Sequence, residues 1–256
     1  MKVATRLGLE GVAATIGYFH HQDDSPLAVA EITRSIVDTI AGLEPVGYVS
    51  IKAPACLYDN NLIASIVLKA RGEGILAHFD SHEFHTADAT LECVRQTVAL
   101  GARVGLTLPG RWRRSVEDAR LTCQLGIRVR VVKGEWGDPT DPGRDRRQGF
   151  LEVVDSLAGQ AREVAVATHD PQLARESLSR LLDAGTKCEL ELLNGLPKRN
   201  LLPIAKEFGV PVRVYIPFGV AWRPYALSKL GDDPRILWWL VSDGFHGLLS
   251  RLNNGR

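Results

Sequence analysis

The 256 residues carry 31 lysines and arginines against 30 aspartates and glutamates, and 45% are hydrophobic. That length suits one α/β barrel and is long for one open sheet. The near-neutral, ordinary composition argues against a disordered chain, a broad basic nucleic-acid surface or an acidic tail. No run approaches the ~20 apolar residues of a membrane span. The opening Met1-Lys2-Val3-Ala4-Thr5-Arg6 lacks the apolar core of a signal peptide. Cys56, Cys93, Cys123 and Cys188 are widely spaced without a metal-ligand doublet, and read as reduced thiols of a cytoplasmic protein.

Strand-like and helix-like segments alternate along the chain. A β-branched run at 12–16 precedes Ser25-Pro26, a helix cap with proline at the first helical position. Val29, Ile32, Ile36, Val37 and Ile40 then follow a helical period. Strands are predicted at 47–52, 75–80, 103–108, 163–167, 187–192 and 211–215, and helices at 60–69, 86–100, 115–125, 148–160, 171–182 and, for the most part, 196–208. The fifth strand opens the stretch 128–138, where Arg and Val alternate as in a half-exposed strand before Lys133-Gly134. A loop rich in Asp, Pro, Gly and Arg at 137–147 has the length of a lid or binding loop. Helices at 224–230 and 236–249 complete the chain.

Eight strands with short helical connections imply a parallel sheet with right-handed crossovers, which closes best as a (β/α)8 barrel. No Gly-x-Gly-x-x-Gly follows the first strand, which weakens a doubly wound alternative. No linker interrupts the pattern, so 1–256 are expected to form one domain.

A barrel builds its site from the C-terminal ends of its strands. In chain order those ends offer His20 and His21, Lys52, Asp80, Arg111 to Arg114, Lys133, Thr168 and His169, Glu191 and Asn194, and Tyr215. The cations among them, with Arg130, favour phosphate or carboxylate groups. Trp136, Tyr215, Phe218, Trp222 and Tyr225 could wall a planar ligand. There is no Ser-His-Asp or Cys-His spacing, so the set suits a large anionic cofactor better than a hydrolytic triad. His78, Asp80, His82 and His85 pose a competing metal site, but His78 and Asp80 share a strand face while His82 and His85 fall in the following loop or turn.

Four ordered motifs carry a family resemblance. Arg130-Val-Val-Lys133-Gly134-Glu135-Trp136 resembles the Arg-Leu-Val-Lys-Gly-Ala-Tyr signature of proline dehydrogenases. Ala167-Thr168-His169-Asp170, Glu189-Leu-Glu191-Leu-Leu-Asn194-Gly195 and Tyr215-Ile-Pro-Phe218-Gly219 resemble further motifs of that family in the same order. The resemblance implies a distorted (β/α)8 barrel with a C-terminal helix over the strand ends. It implies FAD as cofactor, and hydride transfer to it from the carbon beside the nitrogen of proline or a related cyclic or secondary amine. Arg130, Lys133, Gly134, Trp136, Thr168, His169 and Glu191 would lie on the cofactor side. Lys52, Asp80, Tyr215 and Tyr225 would lie on the substrate side, with Lys52 pairing a substrate carboxylate and Asp80 orienting Lys52. An electron acceptor such as a quinone, a partner oxidoreductase taking the product, and a cytoplasmic location that is at most peripheral to a membrane are further implications.

The sequence departs from the family at defined points. Tyr225-Ala-Leu-Ser228-Lys229 stands where the family has Tyr-x-x-Arg-Arg, whose arginines hold the substrate carboxylate. Glu135 and Trp136 replace Ala and Tyr, and Pro109 and Glu191 replace glutamines. These changes leave two alternatives beside proline oxidation: another amine, with its anion held by Lys229, Arg223 or Arg111 to Arg114; and a barrel without flavin serving as a binding or partner subunit, with Trp238-Trp239 as a docking patch. The histidine cluster leaves a third, a metal-dependent hydrolase.

Overall fold

The structure, a computed structural model, describes residues 2–219. Eight parallel strands pair in sequence order and close β8 onto β1. They are β1 (Ala13–Tyr18), β2 (Tyr48–Ile51), β3 (Leu76–Phe79), β4 (Val104–Pro109), β5 (Arg128–Val132), β6 (Val164–Ala167), β7 (Cys188–Leu193) and β8 (Val212–Phe218). The helices are α1 (Lys2–Leu9), α2 (Pro26–Ile40), α3 (Asn60–Gly72), α4 (Ala87–Ala99), α5 (Ser115–Gln124), α6 (Arg146–Leu157), α7 (Pro171–Asp183) and α8 (Leu202–Glu207). The (β/α)8 architecture expected from the alternation is therefore present. The predicted helices at 224–230 and 236–249, and with them Trp222, Arg223, Tyr225, Ser228, Lys229 and Trp238-Trp239, lie outside the described residues.

Local chemistry sets the boundaries. Asp59, Asp145 and Asp170 each accept backbone N–H groups of the helix that follows, as Ser25 does for α2, filling donors that a helix start leaves unpaired. The cap at Asp145 starts α6 at Arg146 and shortens the predicted polar loop. Pro203 sits in the first turn of α8, so the predicted helix at 196–208 contracts to Leu202–Glu207. α1 was not anticipated: it buries only Ala4 and Leu7 and contains Gly8, too weak a periodic signal for a short segment.

A closed barrel covers both faces of every strand, so the two-residue alternation of side chains sorts lumen from outer layer. Val129, Val131, Val164, Val166, Leu190 and Leu192 join Phe150, Val153, Leu157, Leu173, Leu178 and Leu181 in one apolar cluster. On β5 the alternate positions are Arg128 and Arg130, only 2% and 5% exposed. The half-exposed reading of this strand is thus corrected: its arginines are buried among other charged residues rather than facing water. Small neighbours make the room. Ala165 and Ala167 pair beside Arg130 and Glu191, and a Cβ on Gly105 or Gly17 would overlap His78 or Tyr215.

The loop between β5 and α6 is tied down. Asp138, 2% exposed, accepts from the Arg113 N–H at 2.8 Å and from the Thr140 hydroxyl at 2.7 Å. Arg144 Nε donates to Gly110 O at 3.1 Å, and Trp112 Nε1 donates to Trp136 O at 3.0 Å. Gly110 and Gly149 meet with no room for a side chain: a Cβ on Gly110 would overlap the Phe150 backbone, whereas one on Gly143 would meet nothing. Overpacking of this kind costs about 1–3 kcal/mol. Urea unfolding should show Gly110→Ala destabilised by at least that amount and Gly143→Ala close to the parent; equal losses would count against the tight β4–α6 contact.

Candidate active site

Lys52, Asp80, Arg130 and Tyr215, drawn from four strand ends, converge. Asp80 Oδ2 accepts from Lys52 Nζ at 3.0 Å and from the Tyr215 hydroxyl at 3.0 Å, and Oδ1 accepts from Arg130 Nη1 at 2.8 Å. Lys52 Nζ also reaches Tyr215 Oη at 3.4 Å and stands 4.2 Å from the centre of the Phe19 ring. The Arg130 guanidinium lies 5.0 Å from the Tyr215 ring centre. Burial alone would raise the Asp80 carboxyl, but Lys52 and Arg130 outweigh it and hold the group far below the usual carboxylate range. Burial, then Asp80, pushes the Tyr215 phenol well above its ordinary value of 10. Asp80 is therefore a fixed anion and Tyr215 a neutral donor, which suits orientation rather than proton exchange.

The cluster continues into the lumen as a ladder of alternating charge. Arg130 Nη2 lies 2.7 Å from Glu191 Oε1. Glu191 Oε2 accepts from Arg128 Nη2 at 3.0 Å, Arg128 also pairs with Glu189, and Glu189 accepts from Arg213 Nε at 2.7 Å. Tyr48 packs its ring against both Arg128 and Arg213. Burial would raise the Glu191 carboxyl, but Arg130 and Arg128 bring it down to about 2. Glu191, 3% exposed, is thus the neutralising link between two arginines. Arg130 Nη2 is thus engaged by Glu191, whereas Arg130 Nε is buried without a hydrogen-bond partner.

Other predicted residues ring this centre. Lys133 is 39% exposed in its side chain and reaches Asp170 at 3.4 Å. Gly134 adopts φ +90°, a conformation that favours glycine, and a Cβ there would crowd Pro109 and Arg111. Trp136, 37% exposed, lies 5.8 Å from the His82 ring. Thr168 is buried and accepts from the Asp170 N–H at 3.1 Å. His169 Nε2 accepts from the Leu193 N–H at 2.9 Å, so Nδ1 carries the proton and donates to Pro197 O at 3.0 Å. His169 thereby fastens the loop after β6 to the loop after β7. Arg114 is engaged by Asp88 and Asp118, and Arg111 Nη1 by Glu135 O at 2.5 Å.

The histidine cluster does not converge on a metal. His78 Nε2 contacts Thr107 Oγ1 at 2.9 Å inside the barrel, and His85 is exposed beside Glu83. Among the described residues no three His, Cys, Asp or Glu side chains are placed to hold a metal ion. The residues missed by sequence reasoning are Arg128, Glu189 and Arg213. Their signal was the two-residue spacing of Arg128 with Arg130, Glu189 with Glu191 and Arg213 with Tyr215 on strands of a closed barrel.

Two outcomes follow from this geometry. Removing one member of a buried ion pair costs about 3–5 kcal/mol, so Asp80→Asn should lower the unfolding free energy by that order in urea titration. Burial holds the His169 imidazole down at about 4 despite the Pro197 carbonyl, and burial with Lys52 holds His82 at about 4. Folded-state values depressed below the unfolded ~6.5 contribute stability that is complete above that pH and lost as pH falls toward 4. The urea midpoint should fall across that window, with a shallower slope in His169→Asn; identical slopes would remove His169 as a contributor.

No family model matches the chain. Proline dehydrogenase of Deinococcus radiodurans is 28% identical to it over 261 residues, covering 93% of this chain and 83% of the relative. Proline dehydrogenase 1 of Bacillus subtilis is 24% identical over 252 residues, covering 91% and 82%. Among solved structures, proline utilization A from Bdellovibrio bacteriovorus, inactivated by N-propargylglycine, superposes with a TM-score of 0.73 at 14% identity over 86% of this chain. Proline utilization A from Corynebacterium freiburgense gives 0.72 at 15% identity over 91%. The chain spans only 29% and 30% of those two proteins, and that likeness establishes the fold. Sequence similarity to proline dehydrogenases thus runs through nine-tenths of the chain, at 24–28% identity.

Proposed function

We propose that the chain is an FAD-dependent oxidoreductase of proline dehydrogenase type. It would take a hydride from the carbon beside the nitrogen of proline or a related cyclic or secondary amine. The observation that carries this reading is the Lys52–Asp80–Arg130–Tyr215 cluster at the strand ends of a barrel related to proline dehydrogenases.

The residues suit FAD. Arg130 has one buried donor, Nε, without a hydrogen-bond partner, Lys133 offers a half-exposed cation, Gly134 permits close backbone approach and Trp136 offers an exposed ring. Cations and spare donors are what an electron-rich anionic cofactor requires. Pro109 lacks a side-chain donor and Glu191 is engaged by arginines, so these two positions add nothing to that set. Arg130, Lys133, Gly134, Trp136, Thr168 and His169 would hold the group, the last two by fixing the loops around it. FAD, when bound, supplies a two-electron acceptor.

The chain's own residues orient the amine. Asp80 locks Lys52 and Tyr215 into one geometry, and the Tyr215 hydroxyl, whose hydrogen is given to Asp80, has only acceptor capacity left for a substrate. Hydride loss leaves a C=N bond formed with the nitrogen lone pair, and the nitrogen releases its proton. Burial and Lys52 lower the His20 imidazole below its ordinary value against the opposing pull of Asp24, which would suit a base that takes this proton.

One observation favours a different amine over proline itself. The Lys52 ammonium is already directed at Asp80, Tyr215 and the Phe19 ring, so a carboxylate would have to displace one of them. A quinone as acceptor, a partner oxidoreductase and a reducing, cytoplasmic setting at most peripheral to a membrane belong to the same proposal. The four free thiols suit that setting, and among the described residues no helix is long and apolar enough to cross a membrane.

The purified protein should take up FAD and show a flavin spectrum that bleaches anaerobically with substrate. Proline compared against a panel of cyclic amines decides between the two substrates. A protein that binds no FAD sinks the proposal.

A further inference from the structure

Charge balance around Glu191 has a consequence for the cofactor site. Lys52, Asp80 and Arg130 together carry one net positive charge. Glu191 meets Arg130 Nη2 at 2.7 Å and Arg128 Nη2 at 3.0 Å. Arg128 has carboxylate partners of its own in Glu189 and in Glu163, the latter at 3.5 Å, and Arg213 has Glu189. Arg128 and Arg213 are thus matched by Glu189 and by Glu163, which also meets the exposed Lys187 at 3.2 Å, and this leaves Glu191 to offset the charge of Arg130 under the strand ends. A glutamine, the residue in the related motif, would leave that charge in place.

We propose that Glu191 is a positioning residue that neutralises Arg130 and thereby sets the reduction potential of the flavin bound above it lower than a glutamine would. The inference rests on the FAD reading proposed above. Two-electron reduction adds negative charge to a flavin, and a net positive surround favours the reduced form. Cancelling that charge in a water-poor lumen weakens this preference, since buried charges are little screened. The buried, unpartnered Arg130 Nε points to the same place: a cation with a donor to spare, held at a fixed charge by its neighbour.

The test is the midpoint potential of bound FAD, measured against a reference dye at pH 7. Glu191→Gln should raise it by about tenfold in the reduction equilibrium, about 30 mV for two electrons. Arg128→Met, which leaves Glu191 less neutralised, should lower it. The double variant R128M/E191Q should return near the parent, and Glu191→Asp should stay there. A purely structural role would weaken folding or FAD affinity in all variants without moving the potential in opposite directions. Glu191→Gln unchanged or lower, with FAD retained, overturns the inference and leaves the FAD reading standing. If Glu191→Gln does not fold, an unchanged potential in Arg128→Met overturns it instead. A parent protein that takes up no FAD removes both.

Discussion

The rim of this barrel hangs on one carboxylate. Asp80 receives Lys52, Arg130 and Tyr215 from three other strands, and each of those contacts fixes a side chain that the candidate site uses. Without that anion two buried cations would face each other across the strand ends, a cost that a low-dielectric interior does not forgive. Many barrels fill the lumen with layers of branched aliphatics. Here the lumen holds a charge ladder, while the aliphatic packing lies between strands and helices. Cohesion and site chemistry are thereby assigned to opposite faces of the same strands.

This division explains which parts of the molecule were legible in the sequence. The order of strands and helices was readable because the outer-layer residues keep their period and the helices carry explicit caps such as Ser25, Asp59 and Asp170. The lumen was misread at β5, where Arg-Val alternation has the same appearance for a strand facing water and for one facing a polar interior. Closure decides between them, and closure depends on distant partners such as Arg213 and Ala14, 199 positions apart. Lys52, Asp80 and Tyr215 were nominated from strand ends and Arg130 as a cation of the motif on β5, and the structure brings them together. Glu191 was nominated for the cofactor side, yet its immediate company is Arg128 and Arg130. His169 was legible as a motif residue, but its grip on Pro197 and Leu193 is a matter of three-dimensional placement.

The departures from the related signature also acquire physical content. Trp136 is accommodated because its carbonyl is held by Trp112 and its ring lies beside His82, so a larger aromatic costs the loop no anchor. Glu191 is accommodated because Arg128 stands two residues before Arg130 on the same strand face. Both of these substitutions are matched by a neighbour that absorbs them.

The loop between β5 and α6, whose length is that of a lid or binding loop, is tethered in this structure. Asp138 and Arg144 bind it at two points to the turn after β4, and between them a side chain added at Gly143 would meet no neighbour. The span behaves as a braced arch, not a hinge. Added sequence at its crown would leave the braces intact, whereas a single residue inserted at either foot would throw α6 out of step with the strand it covers.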